Sequence, residues 1–199
     1  MNAPSGDARR IPLFPLNAVL FPGGPLRLRI FEPRYLDMIG RCMREDSGFG
    51  VAMIVEGVEA GGEARTACIG TLARIVDFDR LSDGLLGVTA RGGARFEIMD
   101  VQLQSDRLNV AAVEWLEQEA SVAAPPEYEL LAELARRAFP QLAAVYGDLQ
   151  PEYDDASWIG MRLAEMLPLP LEDRQRCLEI RDALERLEFL NQRIKIKPA

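Results

Sequence analysis

Acidic side chains are the most abundant groups in this sequence that could take part in chemistry. The 199 residues contain 31 aspartates and glutamates and no histidine. Without histidine, the chain has no Ser-His-Asp or Cys-His nucleophile arrangement and no histidine-based metal site. The lysines, Lys195 and Lys197, stand near the end of the sequence, so we do not expect a lysine nucleophile in a core cleft.

Sequence motifs for phosphate and metal binding are missing as well. The sequence has no GxxxxGK[ST] loop, no GxGxxG turn and no CxxC pair. The acidic residues at 114–119 and 152–155 lack the regular spacing of a calcium-binding loop, which favours solvated surface charge. We therefore predict no catalytic residues, no metal site and no cofactor.

The composition is that of an ordinary globular protein, with 48% hydrophobic and 27% charged residues. Its formal net charge of −8 argues against a protein whose affinity depends on nucleic-acid phosphates. No apolar stretch has the length of a membrane helix, and the first residues lack the apolar core of a signal peptide. Three dispersed cysteines, at positions 42, 68 and 177, favour reduced thiols over disulfides. We expect a cytoplasmic protein that does not associate with membranes.

The elements that would position a binding surface begin with a proline-rich segment. Ile11–Phe14 has the length and apolarity of a strand that ends at a proline, and Pro22–Pro25 has the composition of a turn. Apolar and basic residues then alternate through Leu26–Ile30, which is the period of a half-buried strand. Pro33 fits the first turn of a helix, whose apolar stripe is predicted to be Leu36, Ile39 and Met43, with Tyr35, Met38 and Cys42 beside it.

A candidate binding surface lies within this segment. The turn is expected to hold an apolar ring beside a backbone with few hydrogen-bond partners, and prolines and glycines there suit an approaching peptide. The candidate residues are Phe21, Pro22, Gly23, Glu32, Arg34 and Tyr35. A structural role stays open for each, with Phe21 closing the end of the barrel, Glu32 and Arg34 forming an ion pair, and Tyr35 belonging to the core.

The remaining sequence predicts an α+β protein. Strands follow one another as far as Trp115 without an intervening helix, and Gly92-Gly93 between two arginines predicts a bulge or bend. This order indicates a small β-barrel capped by one helix. We predict a flexible N-terminus at 1–10, the barrel at 11–118, a linker at 119–126, and a small bundle of helices at 127–199. Asp155 or Asp154 is the predicted cap of one helix and Asp182 that of another.

Three stretches of the sequence resemble the N-terminal substrate-binding domain of the ATP-dependent Lon protease. In chain order they are IPLFPLNAVLFPGGPLRLRIFEPRYLDMI, GTLARIVDFDRLSDGLLGVTARGGARFEI and LAEMLPLPLEDRQRCLEIRDALERLEFL. The resemblance extends from about Ile11 to about Ile194. It implies a PUA-like β pseudo-barrel with one capping helix, followed by a small C-terminal helical bundle, in a free-standing bacterial protein made only of this domain. The residues for ATP hydrolysis and proteolysis are missing, so neither activity is carried over.

The resemblance implies a non-catalytic module that binds exposed apolar or unfolded polypeptide segments or a protein partner. A PUA-like module that binds nucleic acid is the alternative, although the net charge of −8 weighs against it. The sequence does not indicate which partner is bound or what the oligomeric state is.

Overall fold

The protein is described from a computed structural model, which covers residues 9–59 and 64–194. The chain divides into two compact units, Met1–Glu117 (unit 1) and Gln118–Ala199 (unit 2). Most of the N-terminus predicted to be flexible, 1–10, lies outside the described residues, as do Lys195 and Lys197 in the range predicted as the bundle. No helix in the described ranges has the length and apolarity needed to cross a membrane.

Unit 1 is a mixed sheet with one helix. Its strands are β1 (Arg9–Leu16), β2 (Pro25–Ile30), β3 (Phe49–Gly57), β4 (Ala64–Thr66), β5 (Ile69–Arg80), β6 (Leu86–Leu103) and β7 (Asn109–Trp115), and its helix is α1 (Pro33–Arg44). The pairings run β1–β7–β6–β5–β3, and β3 then pairs in parallel with β1. Five strands therefore form a closed circuit, while β2 pairs with β6 and β4 pairs with β3 outside it.

The prediction that a proline ends the first strand is wrong. β1 continues through Pro12 and Pro15 to Leu16, with Pro15 aligned to Ala52 of β3. A proline removes one backbone donor from the ladder. The burial of Leu13 between the neighbouring strands supplies apolar contacts that stabilise the strand despite that loss.

The glycine pair lies inside a single long strand instead of separating two shorter ones. β6 runs through Gly92, and its ladder with β5 shifts register between Thr71 and Ala73, so the predicted bulge is confirmed. A Cβ atom on Gly92 would lie 2.0 Å from the carbonyl oxygen of Phe21, a distance that no side chain allows. The glycine therefore lets the loop before β2 approach the sheet closely.

Two apolar clusters fill unit 1. The larger one includes Phe14, Phe49 and the buried face of α1, and the smaller one surrounds Phe96 and Leu13. Pro33 begins α1 as predicted. The predicted apolar stripe is only partly correct, because the buried residues of α1 are Tyr35, Met38, Ile39 and Cys42, whereas Leu36 and Met43 remain exposed.

Unit 2 is helical. It contains a short 3-10 helix (Pro126–Tyr128) and the helices α2 (Glu129–Tyr146), α3 (Ala156–Met166), α4 (Leu171–Glu179) and α5 (Ala183–Arg193). Of the two candidate caps of α3, Asp155 is the one that accepts a hydrogen bond from the Trp158 amide, at 2.7 Å. The predicted cap Asp182 is confirmed, because it accepts one from the Glu185 amide at 2.8 Å. Helix α3 contacts α2, α4 and α5 and is the common neighbour of the unit.

The segment predicted as a linker, 119–126, lies within unit 2 and is hydrogen-bonded to the residues at the start of α3. The Ala124 amide donates to the Asp154 carbonyl and the Ala156 amide donates to the Val122 carbonyl, each at 2.8 Å. The Ser121 hydroxyl also donates to the Asp155 carboxylate. These bonds attach the segment to the N-terminus of α3.

Candidate functional site

The predicted binding loop is bonded tightly to the sheet. Gly23 has a positive φ of 74°, and its amide donates to the Gly92 carbonyl at 2.8 Å. The Gly92 amide in turn donates to the Gly24 carbonyl at 2.9 Å. The expectation of a backbone with few hydrogen-bond partners is therefore wrong, and the cause is a contact with β6 that lies far away in the sequence.

Phe21 lies inside the protein instead of forming an exposed ring. Its side chain is 0% exposed, which fits the structural alternative in which this ring is buried. Pro22 and Gly23 next to it are half-buried. The exposed aromatic residue of this region is Phe31, at 59%, which the sequence analysis did not single out. Phe31 lies directly between the alternating strand and the helix. Its position at that junction is the sequence feature that could have identified it as exposed.

At the start of α1, Arg34 contacts both Glu32 and Tyr35. Arg34 pairs with Glu32 at 2.8 Å and donates to the Arg107 carbonyl at 2.8 Å. Its guanidinium lies 4.6 Å from the centre of the Tyr35 ring, which stacks on Phe14 with 3.9 Å between the ring centres. Burial raises the pKa of the Tyr35 hydroxyl. The structure thus has the ion pair between Glu32 and Arg34, and a binding role for these residues stays a prediction.

A separate cleft opens where β4 and the end of β6 line the same space. Its volume is about 620 Å³. We call it the β4–β6 cleft, and its lining includes Leu13, Gly57, Thr66, Cys68, Ile98 and Val101. Leu13 belongs to the smaller apolar cluster and Ile98 packs against that cluster, so the floor of the cleft is the core itself.

Apolar side chains continue from the cleft along the end of β6. Val101 and Leu103 are exposed on the face of β6 that also carries Ile98, and they alternate with the polar residues Asp100 and Gln102. Met99 is exposed as well, at the register shift between Ile98 and Asp100. An exposed row of apolar side chains is typical of an interaction surface. The alternation is visible in the sequence, but the sequence does not reveal that these side chains stay exposed among the described residues.

The charges at the cleft cancel each other. Arg65 and Glu56, which both line it, form an ion pair at 3.2 Å. Both side chains are well exposed, so the pair contributes little to stability. Its effect on recognition is that, among the described residues, the lining has no excess charge to attract a phosphate backbone.

The three thiols differ in their surroundings. Cys68 is exposed at the cleft, whereas Cys42 and Cys177 are buried. Burial raises the pKa of the Cys42 thiol and raises that of Cys177 to about 11. Since a thiolate is the reactive form, we expect Cys68 to react with alkylating agents much faster than the other two thiols.

The described ranges contain no group of three or more His, Cys, Asp or Glu side chains placed to hold a metal ion. The chemistry that the cleft supports is binding through apolar side chains and strand backbone. The features that carry this chemistry are an apolar floor, an exposed apolar row and two strands at its sides.

Comparison with known protein families identifies one family. The sequence model described as the ATP-dependent protease La (LON) substrate-binding domain matches residues 10–195. The Lon protease of Anaeromyxobacter dehalogenans is 29% identical over 199 residues, covering 94% of this chain and 23% of that protein. The Lon protease of Escherichia coli is 27% identical, covering 96% and 25% respectively. The chain thus spans about a quarter of the length of these curated relatives.

Solved structures agree with the sequence comparison. The crystal structure of a Lon N-terminal domain protein from Xanthomonas campestris matches with a TM-score of 0.78 and 38% identity. That match covers 92% of this chain and 98% of the other. The N-terminal domain of a Lon protease from the Mycobacterium avium complex matches with a TM-score of 0.66 and 19% identity, which shows a shared fold.

Proposed function

Because the chain belongs to the LON substrate-binding domain family, we propose that it is a non-catalytic module that binds exposed apolar or unfolded segments of polypeptide. The observation that carries the proposal is the β4–β6 cleft. It combines an apolar floor with the exposed apolar row on β6, and its charged groups are paired with each other. Unfolded proteins expose apolar segments that folded proteins bury, so this surface is suited to binding unfolded proteins.

The segment Phe21–Tyr35 is proposed as a second contact region. Support comes from the exposed ring of Phe31 and from the half-buried side chains of Pro22, Glu32 and Arg34. Phe21 and Tyr35 would act from inside by holding the backbone of this region in place.

The finer description of the fold is part of the same proposal. We infer a PUA-like pseudo-barrel at 11–118 and a small helical bundle at 127–199, connected by 119–126. The closed circuit of strand pairings supports the barrel, and the packing of three helices around α3 supports the bundle. The unpaired thiols support a reducing compartment such as the cytoplasm.

The experiment that tests the function compares unfolded and folded forms of one polypeptide. Reduced, carboxamidomethylated α-lactalbumin should bind the protein, while native α-lactalbumin should not, because only the unfolded form exposes apolar segments. Binding can be measured by fluorescence anisotropy of the labelled probe. Equal affinity for both forms, or affinity for neither, would contradict the proposal.

Two further assays address the alternatives. Single-stranded RNA at moderate salt should not be retained, since the cleft has no excess positive charge. Retention would instead favour the nucleic-acid module. Purified protein should neither hydrolyse ATP nor cleave casein, and turnover that persists through stringent purification would show that the module is catalytic.

A further inference from the structure

We propose that the β4–β6 cleft binds its polypeptide as an added β-strand along residues 99–103 of β6. This inference rests on the proposed function and names its mode of recognition. The occupant is an extended segment of an unfolded protein, uncharged along its core and apolar at alternate positions. Such an occupant would place its backbone against β6 and its apolar side chains beside Val101 and over the floor of the cleft.

The first argument is that β6 extends beyond β5. The ladder between them begins with Arg80 opposite Leu86 and ends with Ile69 opposite Glu97. One further bond joins the Ile98 amide to the Cys68 carbonyl at 2.8 Å. Beyond that point the chain before β5 turns away to form β4, which pairs with β3. In the described part of the chain, residues 99–103 of β6 therefore have a neighbouring strand on the β7 side alone.

The second argument concerns the direction of the backbone groups. The Gln104 amide donates to the Leu108 carbonyl at 2.9 Å, which fixes the phase of the β6–β7 ladder. Because bonded and non-bonded positions alternate in an antiparallel ladder, the amides and carbonyls of Val101 and Leu103 point away from β7. Within residues 9–59 and 64–194 these groups have no hydrogen-bond partner. A row of such groups is what an additional strand pairs with.

The third argument identifies the chemistry of the occupant. Alternating backbone donors and acceptors are matched by another polypeptide backbone and not by a phosphate chain. Val101 is 42% exposed and lines the cleft together with Ile98 and Leu13, so the inward side chains of the occupant should be apolar. The ion pair of Glu56 with Arg65 neutralises the rim, so a charged occupant gains nothing there.

Cys68 provides a natural reporter of occupancy. Its exposed thiol lines the cleft, and its carbonyl accepts the last bond from β6. A strand bound along residues 99–103 would cover it. Alkylation by iodoacetamide, followed by mass spectrometry of the cysteine-containing peptides, measures this protection. Cys42 and Cys177 serve as internal controls because both are buried.

The test uses the full chain and two kinds of probe. The first is reduced, carboxamidomethylated α-lactalbumin. The second is an acetylated and amidated peptide of about eight residues, in which valine alternates with threonine. Both probes are expected to slow the alkylation of Cys68. Two derivatives of the peptide have N-methyl groups on alternate backbone nitrogens, one in each phase, so that each removes one edge of donors. At least one derivative should lose affinity by about tenfold or more.

The outcomes separate this inference from the function on which it rests. If unfolded α-lactalbumin binds but leaves Cys68 unprotected, the binding function stands and the cleft is not the site. If the peptide protects Cys68 and neither N-methylated derivative is weakened, the cleft binds side chains without strand addition. Either result overturns the inference. If unfolded α-lactalbumin does not bind at all, the proposed function fails and the inference fails with it.

A variant of the protein gives an independent check. Val101→Pro removes the backbone N–H that points away from β7. The hydrogen bonds between β6 and β7 remain, and proline is tolerated at such edge positions. We expect peptide affinity to fall about tenfold while Cys42 stays protected from alkylation. Unchanged affinity in this folded variant overturns the inference. If Cys42 becomes reactive, the variant has unfolded, and the two N-methylated peptides decide the question.

Discussion

The two units bury different kinds of large side chain. The largest completely buried side chains of unit 1 are aromatic, namely Phe21, Phe49 and Phe96, whereas those of unit 2 are Arg162 and Arg186. Aromatic rings pack without directional partners, but a buried guanidinium must be paired and hydrogen-bonded. Unit 1 is therefore stabilised mainly by apolar packing and strand pairing, whereas unit 2 depends on a small number of specific polar contacts.

Arg186 shows how specific these contacts are. It is 0% exposed, pairs with both carboxylate oxygens of Glu119, and donates to the carbonyls of Cys177 and Ile180. Arg162 lies 3.4 Å from Glu165, which accepts a hydrogen bond from the Tyr146 hydroxyl at 2.8 Å. Burial raises the pKa of the Glu165 carboxyl. Each group has a defined partner, so a change in unit 2 should affect stability first.

The open end of β6 in unit 1 has the opposite character. Its apolar side chains are exposed and its strand is already paired with β7, so substitutions there remove little native structure. We expect them to affect binding instead of stability. We therefore expect the loss of stability to be largest for the buried arginine of unit 2 and smallest for the exposed end of β6.

The largest effect is expected for Arg186→Met. The substitution breaks the ion pair with the Glu119 carboxylate, which should lower the free energy of unfolding of unit 2 by about 3–5 kcal/mol. Alkylation of Cys177 across a urea gradient reports the opening of this unit. Arg137→Met is the matched control, because the Arg137 side chain is 79% exposed, and it should cost less than about 0.5 kcal/mol. Similar costs for both variants would show that unit 2 does not depend on its buried pair.

Phe21→Ser is expected to have the next largest effect. Because the ring is fully buried, its removal should cost about 3 kcal/mol in the stability of unit 1, as measured by alkylation of Cys42 in urea. Phe31→Ser makes the same change at a ring that is 59% exposed, and it should cost less than about 1 kcal/mol. If the two variants are equally stable, Phe21 does not close the core.

Tyr146 should make unit 2 sensitive to alkaline pH. Burial raises the pKa of its hydroxyl above the ordinary value of 10.0, and the neighbouring Glu165 adds to the shift. The folded state therefore keeps the proton that the unfolded state loses. The stability due to this hydroxyl is fully present below about pH 10 and falls as the pH rises through the folded pKa, by up to about 1.4 kcal/mol per pH unit.

Tyr146→Phe isolates this contribution. The stability difference between the natural chain and the variant should be constant from pH 7 to about pH 10 and should shrink above it. Urea unfolding followed by the alkylation of Cys177 at each pH measures the difference, after correction for the pH dependence of the reagent. A difference that does not change up to pH 11 would show that the hydroxyl is not protected by burial.

The smallest stability effect is expected for Val101→Ser. The side chain is 42% exposed, so the cost should be below about 1 kcal/mol while affinity for unfolded α-lactalbumin falls. Val113→Ser makes the same change at a buried position of β7 and should cost about 2 kcal/mol or more. Anisotropy and urea unfolding of both variants provide the comparison. A large loss of stability in Val101→Ser without any loss of binding would place Val101 in the core.

The sequence by itself determined the features that depend on near neighbours in the chain. Pro33 at the start of α1 and the caps Asp155 and Asp182 were all predictable. Each arises from the geometry of one helix turn, so a few residues contain all the necessary information. The family was likewise readable from the motifs, because their order extends along nearly the whole chain.

Tertiary structure alone decided the candidate site. The burial of Phe21 depends on Gly92, and the burial of Arg186 depends on Glu119, which is 67 positions away. The β4–β6 cleft exists because β6 continues past the start of β5. The chain before β5 forms β4, which pairs with β3 instead of with β6. Strand pairing between distant segments sets which edges and faces stay uncovered. Local composition does not encode that choice, since the same alternating pattern suits a covered strand and an open one.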